Sequence, residues 1–184
     1  RFGLLADIDR WVIDNAFKRL SDVRRAGREI VFSINLSGQL LDDPDLYELI
    51  RTGIEANRLV PGSVVFEITE HTAVRQIDKA SHMITRLSEL GCLFALDDFG
   101  KGFSSFSHLK HLPVHFIKID GSFVENMLTN PVDKAMVESI IQIARVLGKI
   151  TIAEFVQNKE TIALLKAAGI DFVQGYHIGR PDEL

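Results

Sequence analysis

Cysteine is almost missing from this chain: Cys92 is the single one in 184 residues. An internal disulfide is therefore impossible, and a four-thiolate zinc site is excluded, so a reducing, cytoplasmic setting is expected. Long apolar runs are missing too. No stretch of about 18 apolar residues occurs and the start shows no charged-then-apolar signal pattern, which predicts a soluble domain without direct membrane contact. Basic charge is lacking: with a formal net charge of -4 there is no positive field to capture a nucleic acid polymer or an anionic membrane. A phosphate-bearing substrate would need bound cations instead. No glycine-rich fingerprint follows the first apolar run, which argues against a doubly wound dinucleotide-binding sheet.

What is present is a regular alternation. With 46% hydrophobic residues, the chain is long enough to bury most of its apolar side chains in one compact domain. Leu4, Leu5, Ile8, Trp11, Val12, Ala16, Phe17 and Leu20 recur at three- and four-residue steps and predict an amphipathic helix ending near Gly27. Strands are expected at Ile30–Asn35, Val64–Thr69, Leu93–Leu96, Phe116–Ile119, Ile150–Ala153 and Asp171–Gln174. Helical stripes separate them: Leu46, Leu49, Ile50 and Ile54 after the cap pattern Asp43-Pro44-Asp45; Val74, Ile77, Ile84 and Leu87; a short helix between Phe103 and Leu112; Met136 to Leu147; and Glu160 to Ala168. The connections are too long for hairpins, so the sheet should be mainly parallel: an α/β chain in the manner of a TIM-like (β/α)8 barrel.

In such a barrel the strand ends converge on one rim, and here the apolar runs end in Asn35, Glu67, Asp97-Asp98, Lys118, Glu154 and Gln174. Adjacent carboxylates at a strand end repel and lose hydration unless cations neutralise them, and hard oxygen donors of this kind suit Mg²⁺ or Mn²⁺. Equally, one Asp of the pair could cap the next helix while the other is solvated. Glu67 and Glu70 could be solvated rim residues, Asn35 a turn-former and Gln174 part of a turn at Gly175. Lys118, flanked by apolar residues, needs an acidic partner or a lowered pKa, either as a structural ion pair or as a catalytic amine. The glycines and serines after Asp98 have the composition of a mobile lid, and of an ordinary surface loop. The histidines show no zinc spacing, and no serine sits in a nucleophile elbow.

Taken in order, Asn35-Leu36-Ser37, Glu67-Ile68-Thr69-Glu70, Asp97-Asp98-Phe99-Gly100, Lys118-Ile119-Asp120, Ala153-Glu154-Phe155-Val156 and Gln174-Gly175-Tyr176 resemble the bacterial EAL domain family of cyclic-di-GMP phosphodiesterases and inactive receptors. The resemblance implies a modified eight-stranded barrel, two Mg²⁺ or Mn²⁺ ions, and hydrolysis of one phosphodiester of cyclic di-GMP to linear pGpG. By motif, Asn35, Glu67 and Asp97 look like ligands of the first metal, and Asp97 and Asp98 of the second. Glu154 resembles the family's catalytic-site glutamate and a further ligand. Lys118 would hold and help deprotonate the attacking water, with Gln174 nearby, and Glu70 would steady the lid from Phe99 to Ser105. Phe155 stands where many members have Gly and could stack on a guanine; Gln157 replaces a usual glutamate and keeps an amide able to bind a base or water.

The family's naming Glu-Ala-Leu segment and two strands are expected upstream of Arg1, so residues 1–184 read as a single EAL-type domain with six of about eight strands. The start at Arg1 suggests a piece of something longer. A homodimer, and sensor or diguanylate cyclase domains in a parent that is itself membrane-tethered, are compatible with the resemblance. The alternative function is a catalytically inactive cyclic-di-GMP receptor.

Overall fold

The computed structural model describes residues 4–101 and 106–182. Six strands, β1 (Phe32–Asn35), β2 (Val64–Thr69), β3 (Leu93–Phe99), β4 (Phe116–Ile119), β5 (Ile150–Ala153) and β6 (Phe172–Val173), alternate with helices α1 (Leu4–Arg25), α2 (Leu46–Asn57), α3 (Glu70–Arg75), α4 (Ile77–Glu89), α5 (Phe106–Leu109), α6 (Gly121–Asn126), α7 (Pro131–Val146) and α8 (Lys159–Ala168). Sheet order follows chain order, β1-β2-β3-β4-β5-β6. Pairing is parallel at β1/β2, β4/β5 and β5/β6. A doubly wound sheet would reverse its strand order at a switch point; this one does not, and the chain is an α/β fold with the strand order of a TIM-like barrel.

The described residues group into two compact units. The first takes in α1, β1, α2, most of β2 and α4, and the start of β3. Its centre is a run of aromatic rings, Phe17 against Phe66 at 6.5 Å and Phe66 against Phe94 at 5.7 Å between centroids. All three are fully buried, and tilted ring pairs of this kind add to the area they bury. Helix α1 forms where its periodicity predicted, but its inward stripe is Ile13, Phe17, Leu20 and Val23. Leu5, Ile8, Trp11 and Val12, expected on the apolar face, lie outward, with Trp11 67% exposed. The periodicity is satisfied by two overlapping stripes, and packing against α2 and β1 selects the C-terminal one. In α2 the buried positions are Leu46 and Ile50. Asp43, expected in the cap, accepts the Asp45 N–H at 2.9 Å, while Asp45 stands at the cap position without a side-chain bond.

The second unit holds the end of β3, then β4, α6, α7, β5, α8 and β6. Helix α7 buries Val137, Ile140, Ile141 and Ala144 and packs on β4 and β5. Pro131 at its start and the Asn130 side chain accepting the Val132 N–H define where it begins. Asn158 caps α8 in the same way through the Thr161 N–H. Strand β3 runs on through Asp97, Asp98 and Phe99 rather than ending at Leu96. Of the expected short helix, Phe106–Leu109 is helical among the described residues; Gly102 to Ser105, including most of the expected lid, lie outside them.

Candidate functional site

In the second unit the ends of β3, β4 and β5 bring three charged side chains together. Lys118 points from β4 and is 4% exposed. Its Nζ lies 2.9 Å from Glu154 Oε1 and 3.0 Å from Asp97 Oδ1. The Asp97 contact is an ion pair without hydrogen-bond geometry, since Oδ1 accepts no directed bond. Both carboxylates are largely shielded, with side-chain exposures of 17% for Asp97 and 12% for Glu154. A buried ammonium needs such partners, and a buried carboxylate pair needs such a cation.

One residue along, Asp98 turns the backbone into the left-handed region at φ 55°. This is tolerable for Asp, and it redirects the chain at the strand end. Burial raises the Asp98 carboxyl pKa, and a shared hydrogen bond with Asp120 and the charges of Asp97 and Asp120 add to the effect against Lys101. Asp120 moves the other way. Burial opposes its ionisation, but the Ser122 hydroxyl, the Ser122 N–H, the Lys101 ammonium and Asp98 together hold its pKa below the usual range. The Ser122 N–H reaches Asp120 at 3.0 Å and Lys101 Nζ at 3.2 Å, and the Ser122 hydroxyl also donates to it. Of this hydrogen-bonded pair, Asp98 is thus the harder to ionise and Asp120 the easier.

Glu70, at the start of α3, is 2% exposed, and its Oε2 accepts the Gly100 N–H at 3.0 Å. It ties down the residue that follows β3.

Beyond β5 the backbone is zipped around Gln174. The Gln174 N–H reaches the Ala153 carbonyl at 2.8 Å, and the Val156 N–H reaches the Gln174 carbonyl at 3.0 Å. Two residues, Glu154 and Phe155, are thereby looped out opposite one, a bulge that carries Phe155 at φ 54°. A left-handed phenylalanine costs roughly 1 to 2 kcal/mol. The compensation is a seat on Gly121: a Cβ there would lie 2.2 Å from Phe155 Cδ2, so the ring occupies space that only glycine leaves. Gly175 likewise lets the Val156 backbone approach, where a Cβ would meet its N and O at 2.3 Å. The result is a cavity of about 310 Å³ lined by Glu125, Glu154, Phe155, Gln157, Gln174 and Tyr176. Across it the Gln157 amide donates to Glu125 Oε1 at 2.6 Å. Phe155 is 59% and Tyr176 69% exposed.

In the first unit, Asn35 and Glu67 end β1 and β2 as register partners, and the Leu36 N–H bonds the Glu67 carbonyl at 2.8 Å. Glu67 is buried and Asn35 exposed. The expected residues thus fall into three groups: Asp97, Asp98, Lys118, Glu154 and Glu70 around the end of β3; Phe155, Gln157 and Gln174 on the adjoining cavity; and Asn35 with Glu67 in the first unit. Asp120 and Glu125 were not singled out from sequence. The Asp120-Gly121-Ser122 cap pattern could have flagged Asp120, whereas Glu125 meets Gln157 across 32 positions and carries no local signal.

The donors fit a hard divalent cation by their chemistry. Asp97, Asp98 and Glu154 are all carboxylates, one buried oxygen on Asp97 accepts no hydrogen bond, and burial and neighbouring negative charge make Asp98 harder to ionise, which a cation would relieve. As placed, however, no three His, Cys, Asp or Glu side chains among the described residues converge on a point that would hold a metal.

Charged side chains gathered at the C-terminal ends of parallel strands define an α/β domain of the barrel class, in which ligands meet that rim. Comparison with known proteins narrows this. The family model described as EAL domain matches residues 1–181, and the chain belongs to the EAL domain family. It is 44% identical over 184 residues to cyclic di-GMP phosphodiesterase PdeB of Shewanella oneidensis, covering all of this chain and 22% of that protein. It is 35% identical over 189 residues to cyclic di-GMP phosphodiesterase PdeF of Escherichia coli, covering all of this chain and 24% of that protein. The chain therefore spans about a quarter of the length of these relatives or less. Among solved structures, the FimX EAL domain from Pseudomonas aeruginosa bound to c-di-GMP superposes with a TM-score of 0.90 at 35% identity, over 98% of this chain and 72% of that one. The PaMucR phosphodiesterase in complex with c-di-GMP gives 0.91 at 31% identity, over 97% and 73%.

Proposed function

We propose that this domain hydrolyses one phosphodiester bond of cyclic di-GMP to linear pGpG, with two Mg²⁺ or Mn²⁺ ions. The observation that carries the reading is the Lys118 ammonium held between Asp97 and Glu154, beside the hydrogen-bonded pair Asp98 and Asp120. Asp97, Asp98 and Glu154 would hold the ions, with Asn35 and Glu67 added by motif. When bound, the ions would neutralise these carboxylates and stabilise the charge that develops on the reacting phosphate. Lys118, fixed by two partners, would hold and help deprotonate the attacking water. Water adds to phosphorus, the bond to one ribose 3′-oxygen breaks, and the water's proton leaves through the Lys118–Glu154 pair to reach the departing oxygen. Gln174 borders this centre, Glu70 holds Gly100 in place, and Phe155 offers a flat apolar face to a guanine, a contact worth about 1 to 3 kcal/mol per base.

The test is chromatographic. Purified full-length protein is incubated with cyclic di-GMP in Mg²⁺, Mn²⁺ or EDTA, and pGpG is quantified. The reading requires pGpG that depends on the divalent ion; folded protein that leaves the dinucleotide intact in all three conditions sinks it. A receptor reading has one observation in its favour, the lack of three converging ligands among the described residues. It demands binding of cyclic di-GMP without turnover. The reducing, cytoplasmic setting and any homodimer or sensor and cyclase partners belong to the same proposal.

A further inference from the structure

The pair Glu125 and Gln157 lines the same cavity as Glu154, yet the catalytic reading leaves it without a task. Glu125 lies on α6 and Gln157 beyond the bulge after β5; both are exposed, yet they meet at 2.6 Å in the lining of the 310 Å³ cavity that Phe155 and Tyr176 also line. Two exposed side chains held by each other thus share a cavity lining with two exposed aromatic residues, a polar end beside apolar surface. Its polar end has a direction. The Glu125 carboxylate offers two acceptors, one already steadied by the Gln157 amide, and that amide retains a second N–H beside them.

We infer that Glu125, positioned by Gln157, reads the Watson–Crick edge of a guanine lying against Phe155, and so sets the base specificity of the domain. This rests on the cyclic-di-GMP reading above. Guanine presents, in order, the N2 amino donor, the N1–H donor and the O6 acceptor. A carboxylate accepts from the first two as a fork and the neighbouring amide donates to the third, so the series of donors and acceptors matches along the whole edge. Adenine presents a lone pair at N1, which the carboxylate would repel. Hypoxanthine keeps N1–H and O6 and loses only the amino group, which makes it the discriminating probe. A glutamate at position 157 would not align in this way, because two carboxylates 2.6 Å apart would repel.

The experiment uses full-length protein, as parent, E125A, E125Q and Q157A, with cyclic di-GMP and cyclic di-IMP. Dissociation constants are measured in EDTA, and kcat/KM in Mg²⁺ where turnover occurs. The parent should favour cyclic di-GMP by roughly 5- to 100-fold, the discrimination typical of a bidentate base contact. E125A should lose about 10-fold or more toward cyclic di-GMP, change far less toward cyclic di-IMP, and so erase the preference; Q157A should weaken it partway. Because both residues are exposed, unchanged denaturation midpoints will show that the variants fold, and E125Q, which keeps one acceptor of the same shape, guards against a cavity artefact. A parent without base preference, or an E125A variant that keeps it, overturns the inference while leaving the phosphodiesterase reading standing. A parent that binds neither dinucleotide removes both.

Discussion

Replacing Lys118 with methionine removes the charge at nearly constant volume and strands two shielded carboxylates. The Coulomb attraction of an ammonium at about 3 Å from one carboxylate is on the order of 5 kcal/mol at the effective dielectric of a protein site. Lys118 has two such partners, at 3.0 and 2.9 Å. Most of that attraction is offset by the desolvation of all three groups, so the attraction is not the expected loss. The expected loss is that of breaking a buried ion pair from one side, about 3 to 5 kcal/mol, because Asp97 and Glu154 then lose the cation that joins them. Urea denaturation in EDTA at neutral pH reads it directly. The triple variant K118M/D97N/E154Q, which removes every charge of the group, should recover most of the loss, since a neutral set of similar volume has no charge left to desolvate. A K118M protein within about 1 kcal/mol of the parent, or a triple variant no better than K118M, would refute the electrostatic account and leave Lys118 as a packing residue. The same substitution should lower turnover by about 10² to 10⁴, the range of a lost proton-handling group.

Two further outcomes follow from the geometry. Gly121→Ala places a methyl where the Phe155 ring sits; it should cost about 1 to 3 kcal/mol, and G121A/F155A should restore stability, whereas a loss unrelieved by the second change would mean the ring is not what glycine accommodates. His115 has its pKa held below the usual 6.5, first by burial and then by the Lys149 charge. A lowered histidine stabilises the fold fully above 6.5 and loses that contribution as pH falls through the folded-state value, because the unfolded chain binds the proton more readily. H115Q should therefore show a shallower loss of stability than the parent below about pH 6.5 in paired denaturation curves; superimposable pH profiles would contradict the assignment.

Local pattern made most of the elements legible. Val64–Thr69, Phe116–Ile119 and Ile150–Ala153 form the strands expected from their apolar runs, because a strand covered by helices needs an apolar run and little else. Where the expectation slipped, a non-local contact decided. Asp97 and Asp98 read as residues after a strand, yet β3 continues through them, and Glu70 takes the Gly100 N–H just past its end. Helix α1 carries apolar residues on more than one face, and the choice of Ile13, Phe17 and Leu20 over Trp11 was made by what lies beneath it.

The candidate site divides along the same line. Its residue types, their order and the family they resemble are properties of the string itself, because hard oxygen donors and a lysine inside an apolar run keep their chemistry whatever surrounds them. Which carboxylates claim Lys118, that Asp120 belongs with Asp98, and that Glu125 meets Gln157 were decided only when the chain folded. Those relations join positions tens of residues apart, and charge acts through distance in space, which the order of residues does not contain.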